Sequence, residues 1–505
     1  MQKIYTITDR LSRVKPWVWL LLALLVTLFT RLAWVLLTRN IPANDFLRYH
    51  ELAAHYAEHN IILMRRFTSI FPHTWGYTMV LSWVYNIFGA SHATAYGFNI
   101  VLCLAIVSLI YDIGAKLFTP WIGGVAALIW ALMPGQILFS NFIAAELLHL
   151  AIMLAAINLY VRMNRAETLK MRLILACVCG LATAFSAIVR PIGLVLLLAF
   201  MLHLVIVHAT RTNRFILLIN IRRFCRQGLL LCLLIPMTYF GVMAVYEHAY
   251  LAPALQRSER LADETRDWRP AMDTPEWQFI IGMLDPPHHL HEEIPNRHPA
   301  MNGPGWNLLV GMHAPTNGFL THHIGDTFFY PVADDHSITA QQAQRIFMRQ
   351  AARLTGRAIQ NGALPQLLRE KARHMWGSDD WAVGWAARHD TSGLVSVTSF
   401  ERPLRFAANA YYRIILTLAL AAAALWLLRK KSRKLLSPAL PLMIILTGLF
   451  FLSLLVETHP RYTFPANTLL ILVGASLLTH LIKPPKTTEE LSCKKSTPSP
   501  TGSPA

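Results

Sequence analysis

Seven side chains able to handle a charged, oxygen-rich substrate stand out from the apolar background of this 505-residue chain: Asp45, Glu146, Arg190, Glu457, His459, Arg461 and Tyr462. Carboxylates can take a proton from a hydroxyl, and arginine holds phosphate because its planar fork stays charged and bonds two oxygens at once. The densest group is Glu457-Thr458-His459-Pro460-Arg461-Tyr462-Thr463-Phe464-Pro465, with an acid, an imidazole, a guanidinium and a phenol together. Its bland reading is an anchor to lipid headgroups. Glu146 precedes an apolar run, where a lone acid is usually solvated. Arg190-Pro191 separates two apolar runs, where an arginine commonly snorkels to the headgroups. Arg65 and Arg66 are weaker phosphate candidates. Arg31, inside the first apolar run, is expected to snorkel or pair.

Asp45 opens an amphipathic helix in which Phe46, Tyr49, Leu52, Ala53 and Tyr56 recur at helical spacing, while Arg48, Glu51, His55 and Glu58 are expected to face water. Asp45 is read either as a cap of that helix or as a functional acid held by the helix start. His288, His289, His291, Glu292, Glu293 and His298 match no closed zinc spacing and read as a solvated loop; a metal remains undecided. The cysteines Cys103, Cys177, Cys179, Cys225, Cys232 and Cys493 sit in apolar runs, short loops or the tail, so no disulfide framework is expected.

The elements that must position these groups are membrane spans. The chain is 54% hydrophobic and 15% charged with a mean hydropathy of +0.39, too little charge to coat soluble domains of this length. Runs long enough to cross a bilayer fall near 17–38, 93–111, 121–139, 147–161, 173–189, 192–208, 228–246, 407–428, 439–456 and 466–482. The run from Trp75 to Phe88 is short for a span and reads as interfacial or re-entrant. With both termini inside, the basic loops around Arg162–Arg172, Arg211–Arg226 and Arg429–Lys434 all fall on the cytoplasmic side with the basic N-terminus; a crossing at 75–88 would reverse them.

The expected fold class is an all-α polytopic membrane protein with about ten spans, interfacial helices in the first outer loop, and a mixed α/irregular extracytoplasmic domain. Its organisation is a membrane domain over 1–248 with a functional outer loop at 39–92, an extracytoplasmic domain over 249–405 rich in tryptophan, spans over 406–483, and a disordered cytoplasmic tail over 484–505. The net charge of +18 is a topological excess, not a nucleic-acid footprint, since the basic residues punctuate apolar runs. No phosphate-binding glycine loop or dinucleotide fingerprint is present.

The order and sidedness of these motifs resemble the integral-membrane GT-C glycosyltransferases, in particular bacterial relatives of the protein O-mannosyltransferases and of the lipid A aminoarabinose transferase. The likeness rests on an acid in the first outer loop, a helix ending in Phe88-Gly89, an outer acid before the fourth span, Arg190-Pro191, and Arg461-Tyr462 with Pro465. Gly305-Trp306-Asn307-Leu308-Leu309-Val310-Gly311 with Asn317-Gly318 is similar to a segment of the outer domain in bacterial members. The chain departs from those relatives in carrying one acid, not an Asp-Glu pair, at the start of the first loop, and Glu in place of Asp as the second outer acid.

The resemblance implies inverting transfer of a sugar from a polyprenyl-phosphate carrier to an acceptor hydroxyl outside the cytoplasm of the plasma or inner membrane. Asp45 would be the base, with Glu146 beside it as a catalytic candidate. Arg461 would clamp the phosphate, with Arg190, Arg65 and Arg66 in support, and His459, Tyr462 and Glu457 would bind substrate. The acceptor is an envelope glycan, lipid or protein, and a divalent metal stays open because the family includes metal-dependent and metal-independent members. A different class, a transporter or flippase for lipid-linked glycans, would need polar residues along mid-membrane, whereas these spans are apolar at their centres. A non-catalytic assembly partner would tolerate loss of both Asp45 and Arg461.

Overall fold

The computed structural model describes residues 11, 13–63, 65–209, 228–264, 305–333, 335, 338–391, 393–428 and 433–481. The histidine-rich tract at 288–298, the basic loop 211–226 and the tail beyond 481 lie outside the described residues, as do Cys225, Cys493, Trp268 and Trp277. Among the described residues the secondary structure is helical, with one isolated bridge between Asn40 and Asp390.

The helices are, in chain order, α1 (Pro16–Leu37), α2 (Asp45–His59), α3 (Arg65–Ile70), α4 (His73–Phe88), α5 (His92–Leu117), α6 (Pro120–Leu132), α7 (Pro134–Leu138), α8 (Ala145–Arg165), α9 (Leu169–Val189), α10 (Leu194–Ala209), α11 (Leu229–Ala244), α12 (Ala252–Glu264), α13 (Gly305–Gly311), α14 (Ala340–Gln360), α15 (Leu364–Trp376), α16 (Trp381–Arg388), α17 (Glu401–Leu428), α18 (Arg433–Leu455) and α19 (Phe464–Ala475). Among the described residues, seven helical segments are long and apolar enough to cross a membrane, and α6 with the stretch from Pro134 to Asn141 forms an eighth bent by 64°. Two shorter apolar helices, Pro191–Val207 and Ala439–Leu455, fall on the remaining expected spans. Large apolar residues are exposed on the outside of the bundle, among them Trp17, Leu25, Phe29, Val101 and Met237. A surface of that kind is stable against lipid and not against water, so the chain is an all-α, multi-pass membrane protein.

Inside the bundle, α5 packs on α6 and α8, α9 lies between α8 and α11, α10 meets α18, and α17 meets α19. Close approach is set by small residues: a Cβ on Gly123 would meet the backbone of α5 at Tyr111, Gly114 and Ala115. The bend after α6 follows from Pro134, which has no N–H to offer the carbonyl of Trp130 four residues back. The Met133 N–H takes that carbonyl instead at 3.2 Å, and Arg31 adds donors from α1. Fully buried in α1, it donates to the carbonyls of Ala131 and of Trp130, the latter at 3.3 Å, and lies 4.6 Å over the Trp130 ring. It pairs within the bundle and does not reach for headgroups.

The run Trp75–Phe88 is part of α4, whose inner face, including Trp75, Tyr77, Met79, Leu81 and Tyr85, is buried while Trp83, Ile87 and Phe88 are exposed. Helices α2 and α4 pack together and form a platform at the bundle end where α8 begins and α9 finishes. Helices α13 to α16 sit on that same end, with α13 and α14 joined in a small core of Trp306, Leu309, Val310, Ala343 and Phe347.

Candidate active site

Local sequence places each polar group at a helix boundary. Asn44 takes a left-handed φ of 51° and ends the extended entry to α2, but makes no side-chain cap bond. Asp45 does not cap α2 either. Its Oδ2 accepts from Arg461 Nη2 at 2.6 Å, and its Oδ1 lies 3.6 Å from Arg48 Nη1 one turn on. The apolar face predicted for α2 is the buried one, Phe46, Tyr49, Leu52, Ala53 and Tyr56. The expectation that Arg48 faces water is overturned, since its side chain is 11% exposed. It turns toward Asp45 and lines the cavity described below.

Glu146 stands in the first turn of α8, where a carboxylate is favoured by the helix dipole. It is 1% exposed, so the solvated reading of this acid fails. Arg190, where Pro191 stops α9, reaches it at 3.0 Å, and Arg461 Nε lies 3.8 Å from the same carboxylate oxygen. Arg190 therefore pairs inside the protein and does not snorkel. A buried carboxylate with two guanidinium partners is a stable arrangement where an isolated one would not be. The order across the site is Asp45, Arg461, Glu146, Arg190, alternating in charge.

The loop from Val456 to Thr463 supplies the rest. Tyr462 donates to Glu457 at 2.9 Å, and its ring lies 5.3 Å from the Arg190 guanidinium and 5.8 Å from that of Arg461. His459 Nδ1 accepts from the Arg461 backbone N–H at 3.3 Å, and its ring packs against Trp381 at 5.2 Å. That bond caps the short 3₁₀ turn Pro460–Thr463, and His459 is not among the cavity-lining residues. Trp381 and Trp385 pack on each other and on Phe46, which ties α16 to the start of α2.

Electrostatics follow the geometry. Burial alone would raise the Asp45 carboxyl, but Arg461 and Arg48 beside it hold it well below the usual carboxylate range. Glu457 is pushed up by burial, with Arg461 and Tyr462 pulling the other way. Burial, and then the positive Arg461, keep His459 neutral far below its ordinary value. His73, at the start of α4, is lowered to about 4 by burial and then by Arg190.

Most of these groups border one cavity of about 1910 Å³. Its polar head is lined by Asp45, Arg48, Tyr49, His73, Arg190, Glu457, Arg461 and Tyr462. It continues as an apolar lane between α10, α11 and α18, along Leu198, Leu202, Phe240, Met243, Met443 and Phe451. Glu146 and His459 do not line the cavity; they lie behind the arginine and the turn that do. Arg65 and Arg66 belong to α3, and their side chains lie outside the described residues. Two groups were missed by sequence reasoning, Arg48 and His73. The three-residue spacing from Asp45 was the signal available for Arg48, and nothing in the sequence marked His73.

No group of three or more His, Cys, Asp or Glu side chains arranged to hold a metal occurs among the described residues. No family model and no curated protein matches the chain. Solved structures to which it is similar include the oligosaccharyltransferase of Archaeoglobus fulgidus tethered to an acceptor peptide containing the NVT sequon, at 13% identity and a TM-score of 0.47, over 91% of this chain and 49% of that one. The archaeal oligosaccharyltransferase AglB from the same organism, in complex with an inhibitory peptide and a dolichol-phosphate, has 12% identity and a TM-score of 0.47 over 96% and 52% of the two chains. ArnT from Cupriavidus metallidurans bound to undecaprenyl phosphate has 14% identity and a TM-score of 0.32 over 92% and 77%. The chain spans about half the length of the archaeal proteins, and likenesses this distant assign no role to any residue here.

Proposed function

We propose that the chain is an integral-membrane glycosyltransferase of the GT-C type, which moves a sugar from a polyprenyl-phosphate carrier to an acceptor hydroxyl with inversion, on the extracytoplasmic face of the plasma or inner membrane. The observation that carries this reading is the shape of the cavity: a head of arginines and acids continuous with an apolar lane open to the lipid-facing helices. A phosphate on a long isoprenoid tail has that same division, and few soluble metabolites do.

The chemistry proceeds from the residues in place. The phosphate takes Arg461, with Arg190 and Arg48 at the same head. In the transition state the bond from the anomeric carbon to the phosphate oxygen breaks while the acceptor oxygen attacks from the opposite face. The acceptor proton passes to Asp45, and the carrier phosphate leaves with the added negative charge. The arginines stabilise that charge more in the transition state than in the donor, which is what accelerates the step. Asp45 is a poor base while Arg461 holds it. A phosphate that competes for Arg461 loosens the 2.6 Å pair and returns basicity to the carboxylate. Donor binding would thereby switch on the base. Glu146, set behind both arginines, orients them, and Glu457 with Tyr462 borders the sugar or acceptor. With the arginine-rich head on the outer face, both termini are cytoplasmic.

The test is reconstitution in vesicles with a panel of short-chain polyprenyl-phosphate sugars and envelope extracts as acceptor. Acceptor-dependent release of polyprenyl phosphate supports transfer. Movement of the intact lipid-linked sugar between leaflets without release would establish the transporter reading in its place.

A further inference from the structure

The Gly305–Gly311 motif lends Trp306, Asn307 and Leu308 to the cavity wall, and with Asn317-Gly318 it leads to a second buried cation. Lys371 of α15 is fully buried. Its Nζ donates to the carbonyl of Gly311 at 2.9 Å and to the carbonyl of Val456, the residue before Glu457. Two further bonds fasten the same stretch: the Thr458 N–H donates to the Gly318 carbonyl at 2.7 Å, and the Thr458 hydroxyl donates to the Asn317 carbonyl at 2.8 Å.

The glycines make this approach possible. Gly318 has φ +75°, and a Cβ there would come within 2.7 Å of the Thr458 hydroxyl and 2.9 Å of Lys371 Nζ. A Cβ on Gly311 would collide with the backbone of Leu455 and Val456. Asn317 also takes a left-handed φ of 51°, a conformation that asparagine tolerates better than most residues. An ammonium buried in this way costs several kcal/mol unless its donors are satisfied, so its place between two carbonyls demands a return.

We infer that Lys371, with Gly311, Gly318 and Thr458, is a clasp that positions the 456–463 loop, and through it Arg461, for the phosphate. Lys371 does not line the cavity; it reaches the phosphate head through the backbone it holds and through its charge on Glu457, which makes it a positioning residue. The inference rests on Arg461 being the phosphate clamp. It explains why α13 and α15 are folded onto this end of the bundle: they fix the backbone of a loop whose guanidinium must sit between Asp45 and the incoming anion.

The test uses the full-length protein in detergent or nanodiscs with farnesyl phosphate as probe, at a temperature well below melting, together with amide hydrogen exchange over 456–463. Lys371→Met should raise exchange across that loop and weaken the probe by about tenfold, the size expected for losing a charged hydrogen bond. Thr458→Val, which keeps the side-chain shape, should give the same pattern at about threefold and stands in should Lys371→Met not fold. Loop exchange unchanged in the folded variants would overturn the clasp. So would raised exchange with wild-type affinity, provided Arg461→Gln loses the probe. If Arg461→Gln instead binds as tightly as wild type, the phosphate-clamp reading itself fails, and the clasp loses its purpose with it.

Discussion

Asp45 and Arg461, 416 residues apart in the chain, meet at 2.6 Å, and Arg461 is at the same time 3.8 Å from Glu146. One guanidinium is thus shared by the acid that opens the first amphipathic helix and the acid that opens α8. If the incoming phosphate competes for that guanidinium, removing Asp45 frees it. Asp45→Asn should bind farnesyl phosphate about threefold to tenfold more tightly than wild type, read by titration. Equal or weaker binding would mean that the two anions do not compete.

The Glu146–Arg190 pair is enclosed, with the acid 1% exposed and the cation 12%. Truncating Arg190 leaves the buried Glu146 with Arg461 alone, at 3.8 Å. Arg190→Met should lower stability by about 3–5 kcal/mol, and Glu146→Gln in the same chain should recover part of that loss. Melting temperatures of the two single variants and the double variant close the cycle; simple additivity would show the two to be independent.

The apolar lane predicts discrimination by tail length. Leu202, in α10, lines it and is half exposed. Leu202→Trp should weaken undecaprenyl phosphate about tenfold while leaving farnesyl phosphate within about twofold, because at about 1.5 Å per residue that point lies about 18 Å from Arg190, past the end of a farnesyl chain. Competition binding of the two phosphates gives the ratio directly, and a parallel loss for both would place the tail elsewhere.

Asp379, in the turn between α15 and α16, accepts from Asn467 of α19 at 2.9 Å and is pushed up to about 7 by burial. A carboxyl whose folded value lies above its unfolded one stabilises the protein fully below about pH 4, and that contribution is lost as pH rises toward 7. Asp379→Asn should therefore flatten the decline of melting temperature between pH 4 and 7. Asp45 has the opposite sign, since Arg461 and Arg48 lower it against the effect of burial: its contribution is present above about pH 4 and lost below. A pH profile of melting that Asp379→Asn leaves unchanged would mean that the turn is hydrated.

Much of the scaffold was legible because membrane burial writes a strong period. The inner face of α2 was readable residue by residue, and the ten apolar segments all fall on helices. The site was legible only as residue types at boundaries. Nothing in local spacing says that Arg461 lands on Asp45, because that contact depends on how α2, α8 and the loop before α19 share one bundle end. The misreadings have the same origin. Arg48 was assigned to water by helical period, which cannot see the neighbouring elements that cover it. Asp45 was weighed as a cap because its position suits one, yet a guanidinium from the far end of the chain took the carboxylate. Arg31 pairs with the carbonyls of Trp130 and Ala131 at the end of α6, a contact visible only when α1 and α6 are seen side by side.

The most direct test of the account is single-turnover release of polyprenyl phosphate from a short-chain polyprenyl-phosphate sugar by purified protein in nanodiscs, with and without acceptor, for wild type and Asp45→Asn. The account predicts acceptor-dependent release by wild type and a loss of about 100-fold or more in Asp45→Asn, the usual worth of a general base, with farnesyl phosphate still bound. Release by Asp45→Asn at the wild-type rate would contradict it.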